Sequence, residues 1–528
     1  MHNHGLGTWL TTRKQKTPDK VALIHGDGEE VSYRELADRT DALAGVLWQH
    51  GIRPGEAVAY LGENSPEFLS ALFACAQLGA VFVPVNTRLA PPEIAHVLGD
   101  SGARAVINGP EFTELLSPIA AELGIAHRFQ LGHEDHPEAR SLSRLLEASI
   151  GGHVDAAVTL DDPAAILYTS GTTGKAKGAV LSHGNLTWVS INTVIDYDIV
   201  SSDVALMISP LFHAAALGMG ALPVLLKGGT IVLERGFEAG RVLELIECYG
   251  VTMLSGVPTT YQLLADHPNW ASTDISSLAK LTCGGSAVPS RILTAFEARG
   301  LSFSQGYGMT ETSPGATSLA PAMTRAKQGS VGLPHFFTEV RIATQAETPD
   351  GDRAATPDTD SAPRMMVPRG TVGEIEVRGP NVFLGYHGLS EATAHAFTPD
   401  GWFRSGDLGY LDEDGYLFIA DRLKDMIISG GENIYPAEIE DQLNSIAGVS
   451  GAAVIGVPDE QWGEVPWAVL TLAPGTDPAI AATDAVRAAL DGKLARYKLP
   501  KRVIVIDEFP RTASGKIRKA DLREQYRQ

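Results

Sequence analysis

The chain has 528 residues, 44% hydrophobic and 20% charged, a length and composition that suit a globular protein of two or more domains. Its 63 acidic against 42 basic residues leave a formal net charge of −21, which argues against nucleic acid or an anionic membrane surface as a main partner. Three cysteines (Cys75, Cys248 and Cys283) with no CxxC pair argue against a disulfide framework or a thiolate zinc site, and a reducing cytoplasm is the expected compartment. Met1–Trp9 has neither the basic start nor the apolar run of a secretory leader.

Through about residue 330, helical patterns alternate with short apolar runs. Strands are expected at Ala57–Leu61, Val81–Val85, Ala105–Ile107, Ala164–Tyr168, Val204–Ile208, Thr230–Leu233 and Met253–Ser255. Helices are expected at Tyr33–His50, Glu67–Leu78, Gly240–Tyr249 and Arg291–Arg299. Phe68–Val85 is the run most like a membrane span, but Ser70, Gln77, Gly79 and Pro84 make it a buried helix stopping at Gly79 and then a core strand. Such alternation predicts α/β layers with mainly parallel sheet.

After Gly329 the pattern turns β-rich, with strands expected at Val340–Ala343, Gly373–Val377, Gly409–Leu411 and Tyr416–Ile419. Gln345–Gly370, rich in Pro, Asp, Thr and Ala, reads as a mobile surface loop. The last hundred or so residues predict helices at Pro436–Ser445 and Thr483–Leu494 and strands at Ala452–Val457, Ala468–Leu472 and Arg502–Val505. The charged run Asp421–Asp425 is the candidate linker. The expected domains are 1–423 and 424–528, the first with two α/β layers plus a β-rich subdomain, the second a small α+β unit.

Thr169-Ser170-Gly171-Thr172-Thr173-Gly174-Lys175-Ala176-Lys177 follows an expected strand. Glycines let backbone N–H groups turn toward an anion, hydroxyls add donors, and Lys175 and Lys177 add charge, so the segment suits phosphate. It is not the common P-loop, whose first glycine and final Ser/Thr are replaced here by Thr169 and Ala176. Gly306-Tyr307-Gly308-Met309-Thr310-Glu311 places a carboxylate after a glycine-rich turn, and Gly284-Gly285-Ser286 is a second small-residue loop. Asp407 closes Trp402–Asp407, and Lys516 lies in a basic C-terminal run, Pro510–Lys519.

Together, in this order and over about Trp9 to Tyr526, these motifs resemble the adenylate-forming superfamily of acyl-CoA synthetases, aryl-CoA ligases, peptide-synthetase adenylation domains and beetle luciferases. The resemblance implies that Tyr307 packs on adenine, Thr310 bonds the α-phosphate, and Glu311 holds Mg²⁺ with Thr169. It implies that the Gly284–Ser286 loop lies along the adenine and the acyl pocket, that Asp407 and Arg422 hold the ribose, and that Lys516 is the adenylation lysine. As a compact cation, Lys516 suits negative charge building on oxygens. Leu211–Gly218 resembles the segment that gates the acid pocket, so His213 is expected between the ATP and acyl sites.

By the same resemblance Lys424 is a hinge, Gly430, Gly431 and Glu432 line a thiol channel, and Trp462, Tyr497 and Lys498 contact the CoA nucleotide. The expected activity is ATP-dependent ligation of a carboxylic acid to coenzyme A through an acyl-adenylate. The alternatives are an enzyme loading a carrier protein and a non-catalytic nucleotide-binding module. Small apolar residues at Ala214–Gly220, without a cationic clamp for a second carboxylate, favour a hydrophobic monocarboxylic acid, either a medium- or long-chain fatty acid or a hydroxycinnamate such as ferulate. The expected partners are that acid, ATP and CoA, with a homodimer as a candidate assembly.

Overall fold

The structure is a computed structural model describing residues 3–149, 154, 156–169, 176–284, 288–344, 365–422, 425–429, 432–459, 462–491, 493–511 and 516–526. It divides into two compact units, one holding Met1–Val340 and Val377–Phe403, the other running from Arg341 to Glu376 and over Arg404–Gln528.

In the first unit the sequence dictates much of the local structure. Helix Tyr33–Gln49 opens on a capping box, with Ser32 Oγ accepting from Glu35 N at 3.2 Å and Glu35 Oε2 accepting from Ser32 N at 2.8 Å. Helix Pro66–Leu78 starts with proline at its first position and stops at Gly79, whose φ of 65° favours a residue without Cβ. All its residues except Glu67 are buried, so an almost continuously apolar run is core here, and strand Val81–Pro84 follows as expected. Among the described residues no helix is long and apolar enough to cross a membrane.

Two sheets organise this unit. One runs in the order Gly385–Tyr386, Lys177–Ser182, Pro163–Thr169, Val81–Pro84, Ala57–Leu61, Ala105–Asn108, His127–Gln130, Arg140–Ser141. Its ladders are parallel from Pro163–Thr169 onward and antiparallel at the first two pairings. The other runs Ser330–Pro334, Thr317–Leu319, Phe303–Tyr307, Lys280–Cys283, Met253–Gly256, Val204–Met207, Thr230–Leu233, Val21–His25, Glu29–Ser32. From Phe303–Tyr307 to Val21–His25 it is parallel, so loops leaving several strand ends emerge along one edge. Ligands in open α/β sheets bind at such carboxyl ends.

The second unit contains most of the strands Glu339–Ala343, Gly373–Arg378, Phe403–Leu411 and Leu417–Arg422, which are consecutive in their sheet. Beyond them lies a sheet built on the long antiparallel pair Val449–Asp459 and Gly463–Leu472, with Arg502–Val505 parallel to the latter. Helices Pro436–Asn444 and Thr483–Leu490 cover it through Ile439, Leu443, Val486 and Leu490. The second of these stops short of Leu494 because Asp491 is extended, with ψ 136°. Within Gln345–Gly370, residues 345–364 lie outside the described set. The remainder is tied down: Thr344 N donates to Met365 O at 2.9 Å, and Met366 pairs with Ala343.

Candidate active site

Strand Pro163–Thr169 turns back as Lys177–Ser182, with Thr169 opposite Lys177 and Tyr168 opposite Gly178. The phosphate-type segment therefore joins two paired strands, and Thr169 Oγ1 donates to Lys177 O at 3.4 Å. Ser170, Gly171, Thr172, Thr173, Gly174 and Lys175 lie outside the described residues. Both stalks are tethered by helix Pro91–Asp100. Tyr168 Oη donates to Asp100 Oδ2 at 2.7 Å, and His96 Nε2 bonds Ala176 O at 2.9 Å. The residue at 178 must be small, since a Cβ there would stand 2.6 Å from Ile166 Cγ2. A cavity of about 560 Å³, lined among others by His96, Asp100, Ala176 and Lys177, opens beside the stalks.

The second motif leaves strand Phe303–Tyr307 and makes one 3-10 turn at Thr310–Thr312. Its backbone is packed to the limit: a Cβ on Gly308 would fall 1.5 Å from Pro314 O, which is why glycine stands there. Thr312 Oγ1 accepts from Met309 N at 3.0 Å and donates to Pro314 O at 2.7 Å, closing the turn. Buried Asn381 staples it from outside, donating through Nδ2 to Thr312 O at 3.0 Å and Gly315 O at 2.6 Å. Tyr307 and Thr310 are half-buried beside it, and Gly306 lies directly before Tyr307 in the strand.

Glu311 and Lys177 meet at a residue that sequence reasoning did not single out. Tyr386 Oη donates to Glu311 Oε1 at 2.9 Å, and Lys177 Nζ lies 5.3 Å from the Tyr386 ring centroid. Burial first, and the neighbouring Glu311 carboxylate second, push the Tyr386 hydroxyl above its ordinary pKa, so it stays a donor at neutral pH. Strand Gly385–Tyr386 is too short to show periodicity. The glycine before the tyrosine was the available signal: Gly385 has φ 143°, and a Cβ on it would stand 2.4 Å from Thr393 Cγ2.

Gly284 follows strand Lys280–Cys283 at the same sheet edge, its N–H donating to Gly256 O at 3.2 Å, while Gly285 and Ser286 lie outside the described residues. His213 follows strand Val204–Met207 along that edge too. Its ring packs 4.6 Å from that of Phe212, and its carbonyl accepts from Leu217 N at 3.1 Å. The small-residue run after it is a π-helix, Ala215–Ala221, a wide turn common at functional sites and not legible from apolar spacing.

The second unit carries the other candidates. Asp407, buried inside strand Phe403–Leu411 after Gly406 at φ 69°, stands opposite Arg422 in the antiparallel ladder. Its N–H donates to Ser405 Oγ at 3.1 Å. Lys424, Gly430 and Gly431 lie outside the described residues, and Glu432 begins a strand opposite Ser429. Trp462 and Tyr497 are both exposed, as nucleobase contacts would need. Lys498 is bound to Glu438 at 2.6 Å, and Lys501 stands over the Trp462 ring at 5.9 Å. Lys516 is exposed on a tail whose Arg518 N donates to Pro510 O at 2.8 Å.

Among the described residues no group of three or more His, Cys, Asp or Glu side chains is placed to hold a metal ion. A single carboxylate beside a phosphate-type hairpin nevertheless suits Mg²⁺, which takes most of its oxygens from phosphate and water. Glu311 and Thr169 fit that chemistry.

The family described as AMP-binding enzyme matches residues 10–387, and that described as AMP-binding enzyme C-terminal domain matches 438–516. A feruloyl-CoA synthase from Amycolatopsis sp is 47% identical over 526 residues, all of both chains. An indoleacetate–CoA ligase from Aromatoleum aromaticum is 40% identical, over 98% of each chain. The ATP-bound crystal structure of MatB from Rhodopseudomonas palustris superimposes with a TM-score of 0.89 at 34% identity, covering 100% of this chain and 99% of that one. The chain belongs to the AMP-binding enzyme family, among its AMP-forming acyl-CoA ligases. Its fold is the α/β adenylate-forming fold, a large N-terminal domain with a small C-terminal one.

Proposed function

We propose that the protein activates an aromatic monocarboxylic acid of the hydroxycinnamate kind, such as ferulate, as its acyl-adenylate and passes the acyl group to coenzyme A. The observation that carries the reading is the convergence of Lys177 and Glu311 on Tyr386 at the base of a phosphate-type hairpin. The aryl acid is supported by the full-length likeness to a feruloyl-CoA synthase and an indoleacetate–CoA ligase. Buried Ala214, Ala216, Leu217 and Gly218 agree with an apolar acid.

In the first half-reaction an acid oxygen attacks the α-phosphorus of ATP and pyrophosphate leaves. Residues 169–177 hold the phosphates, Thr310 donates to the α-phosphate, and Tyr307 with the 284–286 loop holds the adenine. His213 borders the acid, Asp407 and Arg422 hold the ribose, and Lys516 counters the charge growing on the reacting oxygens. Mg²⁺ on Glu311 and Thr169 would neutralise phosphate oxygens. In the second half-reaction the CoA thiolate attacks the acyl carbon and AMP leaves. We assign Gly430, Gly431 and Glu432 to the thiol channel, Trp462, Tyr497 and Lys498 to the CoA nucleotide, and Lys424 to the hinge between domains 1–423 and 424–528.

The test is relative kcat/KM for ferulate, benzoate, octanoate and palmitate with ATP, Mg²⁺ and CoA. Ferulate should lead by about 10-fold or more, the margin that distinct pocket contacts give. A lead for octanoate or palmitate would overturn the aryl assignment, and AMP formed without any CoA thioester would overturn the CoA assignment.

A further inference from the structure

Tyr386 is held from three sides. Its backbone pairs with Ala179 on the hairpin stalk, its N–H donates to Thr393 Oγ1 at 2.9 Å, and Phe383 packs edge-on at 4.9 Å between ring centroids. Phe383 N also donates to Glu311 O at 2.9 Å, so one short segment grips the glutamate by both main chain and side chain. A carboxylate that receives a cation carried by a substrate must be oriented before the cation arrives, and a hydrogen bond to one oxygen fixes its plane. The ring face turned to Lys177 attracts an ammonium at 5.3 Å, within the range of a cation–π contact.

We propose that Tyr386 is a positioning residue for adenylation: its hydroxyl orients the Glu311 carboxylate toward a divalent cation carried by the nucleotide, and its ring keeps the Lys177 ammonium beside the phosphate hairpin. The inference rests on reading Glu311 as the cation ligand and Lys177 as a phosphate contact. It makes the two functions of one side chain separable, because Tyr386→Phe deletes the hydroxyl and keeps the ring, whereas Tyr386→Leu deletes both.

The experiment measures ATP affinity by calorimetry in EDTA and Mn²⁺ affinity of the ATP complex by electron paramagnetic resonance, in the full chain without acid so that no adenylate forms. Tyr386→Phe should weaken Mn²⁺ binding about 10-fold, the usual loss for an outer partner of a metal ligand, with metal-free ATP affinity changed less than about twofold. Tyr386→Leu should weaken metal-free ATP binding as well, by roughly three- to fivefold for one lost cation–π contact. Glu311→Gln serves as the reference. If it loses Mn²⁺ affinity while Tyr386→Phe keeps it, the proposal fails and the Glu311 assignment stands. If Glu311→Gln itself binds Mn²⁺ like the wild type, the underlying assignment fails and takes the proposal with it. A Tyr386→Phe variant that loses metal-free and metal-bound affinity alike, with a lowered Tm, has a structural tyrosine and also overturns it.

Discussion

Gly218 and Ser313 are so closely apposed that a Cβ on Gly218 would stand 2.3 Å from the Ser313 carbonyl oxygen. The contact joins the π-helix Ala215–Ala221 to the turn that follows Glu311, so the wall assigned to the acid and the loop assigned to the nucleotide share one backbone contact. Ser313 itself sits at φ 67°, and Pro314 Cδ is 3.1 Å from the same position, so neither neighbour yields by rotating a side chain. Gly218→Ala should cost roughly 1–3 kcal/mol through overpacking. By displacing the turn it should lower kcat/KM for the acid by roughly 10- to 100-fold. Thermal melts and steady-state kinetics check both, and an alanine variant with unchanged kinetics would show that the two walls move independently.

His183 links the N-terminus to the helix it begins. Its Nδ1 accepts from Leu6 N at 3.2 Å in a fully buried setting, which requires the neutral ring with its proton on Nε2. Burial lowers its pKa to about 4, against a smaller opposing pull from Asp162. The unfolded chain binds this proton near pH 6.5 and the folded one does not until about pH 4, so this contribution is complete above 6.5 and is lost as pH falls toward 4. Its full size is on the order of 3 kcal/mol. In His183→Asn the stability deficit against wild type should therefore be largest at pH 7.5 and shrink by pH 5. Urea unfolding at the two values tests it, and a constant deficit would assign the effect to packing alone.

What was legible in the sequence follows from what repeats in it. Apolar runs bounded by glycine or proline gave Ala57–Leu61, Thr230–Leu233 and Arg502–Val505 at their observed ends, since hydrophobic periodicity and turn residues act locally. The motif residues Thr169, Lys177, Tyr307 and Glu311 were nameable because their motifs, taken in order, resemble those of the adenylate-forming superfamily. Tyr386 and Asn381 were not: their value lies in contacts with residues 75 and 69 positions away, and a two-residue strand has no period to read. The π-turn of Ala215–Ala221 was hidden for a related reason, since hydropathy does not distinguish it from an ordinary helix.

The tail that carries Lys516 is fastened by an ion pair. Lys519 Nζ meets Glu440 at 2.7 Å, and Glu440 also accepts from Val454 N at 2.6 Å. Burial raises the Glu440 pKa, with Lys519 as the main opposing influence. A raised carboxyl pKa means that the fold is favoured by protonation, so stability is lost as pH rises through it. Lys519→Met removes the opposing charge and should destabilise the protein by roughly 1–3 kcal/mol at pH 7.5, less than a fully buried pair because both side chains keep some solvent. The loss should shrink at pH 5, and adding Glu440→Gln should recover part of it. Unfolding of the single and double variants at both pH values checks this. A double variant no more stable than Lys519→Met at pH 7.5 would show that the buried charge is not the cause.

Lys516 itself is exposed, on a segment closed by the Arg511–Ile517 bridge and anchored by Leu522, which packs with Ile455, Val469 and Phe509. A Lys516→Ala variant that keeps the wild-type Tm lets its kinetic effect be read as chemistry. A cation acting where charge develops in the first half-reaction is worth roughly 100- to 1,000-fold there. The second half-reaction breaks the bond between the acyl carbon and the AMP oxygen and leaves its electron pair on the AMP phosphate; with Lys516 assigned to the adenylation step alone, it should change only a few-fold. Pyrophosphate release from ATP and acid measures the first half-reaction. CoA thioester formation from a synthetic acyl-adenylate measures the second. Equal losses in both would remove Lys516 from a role confined to adenylation.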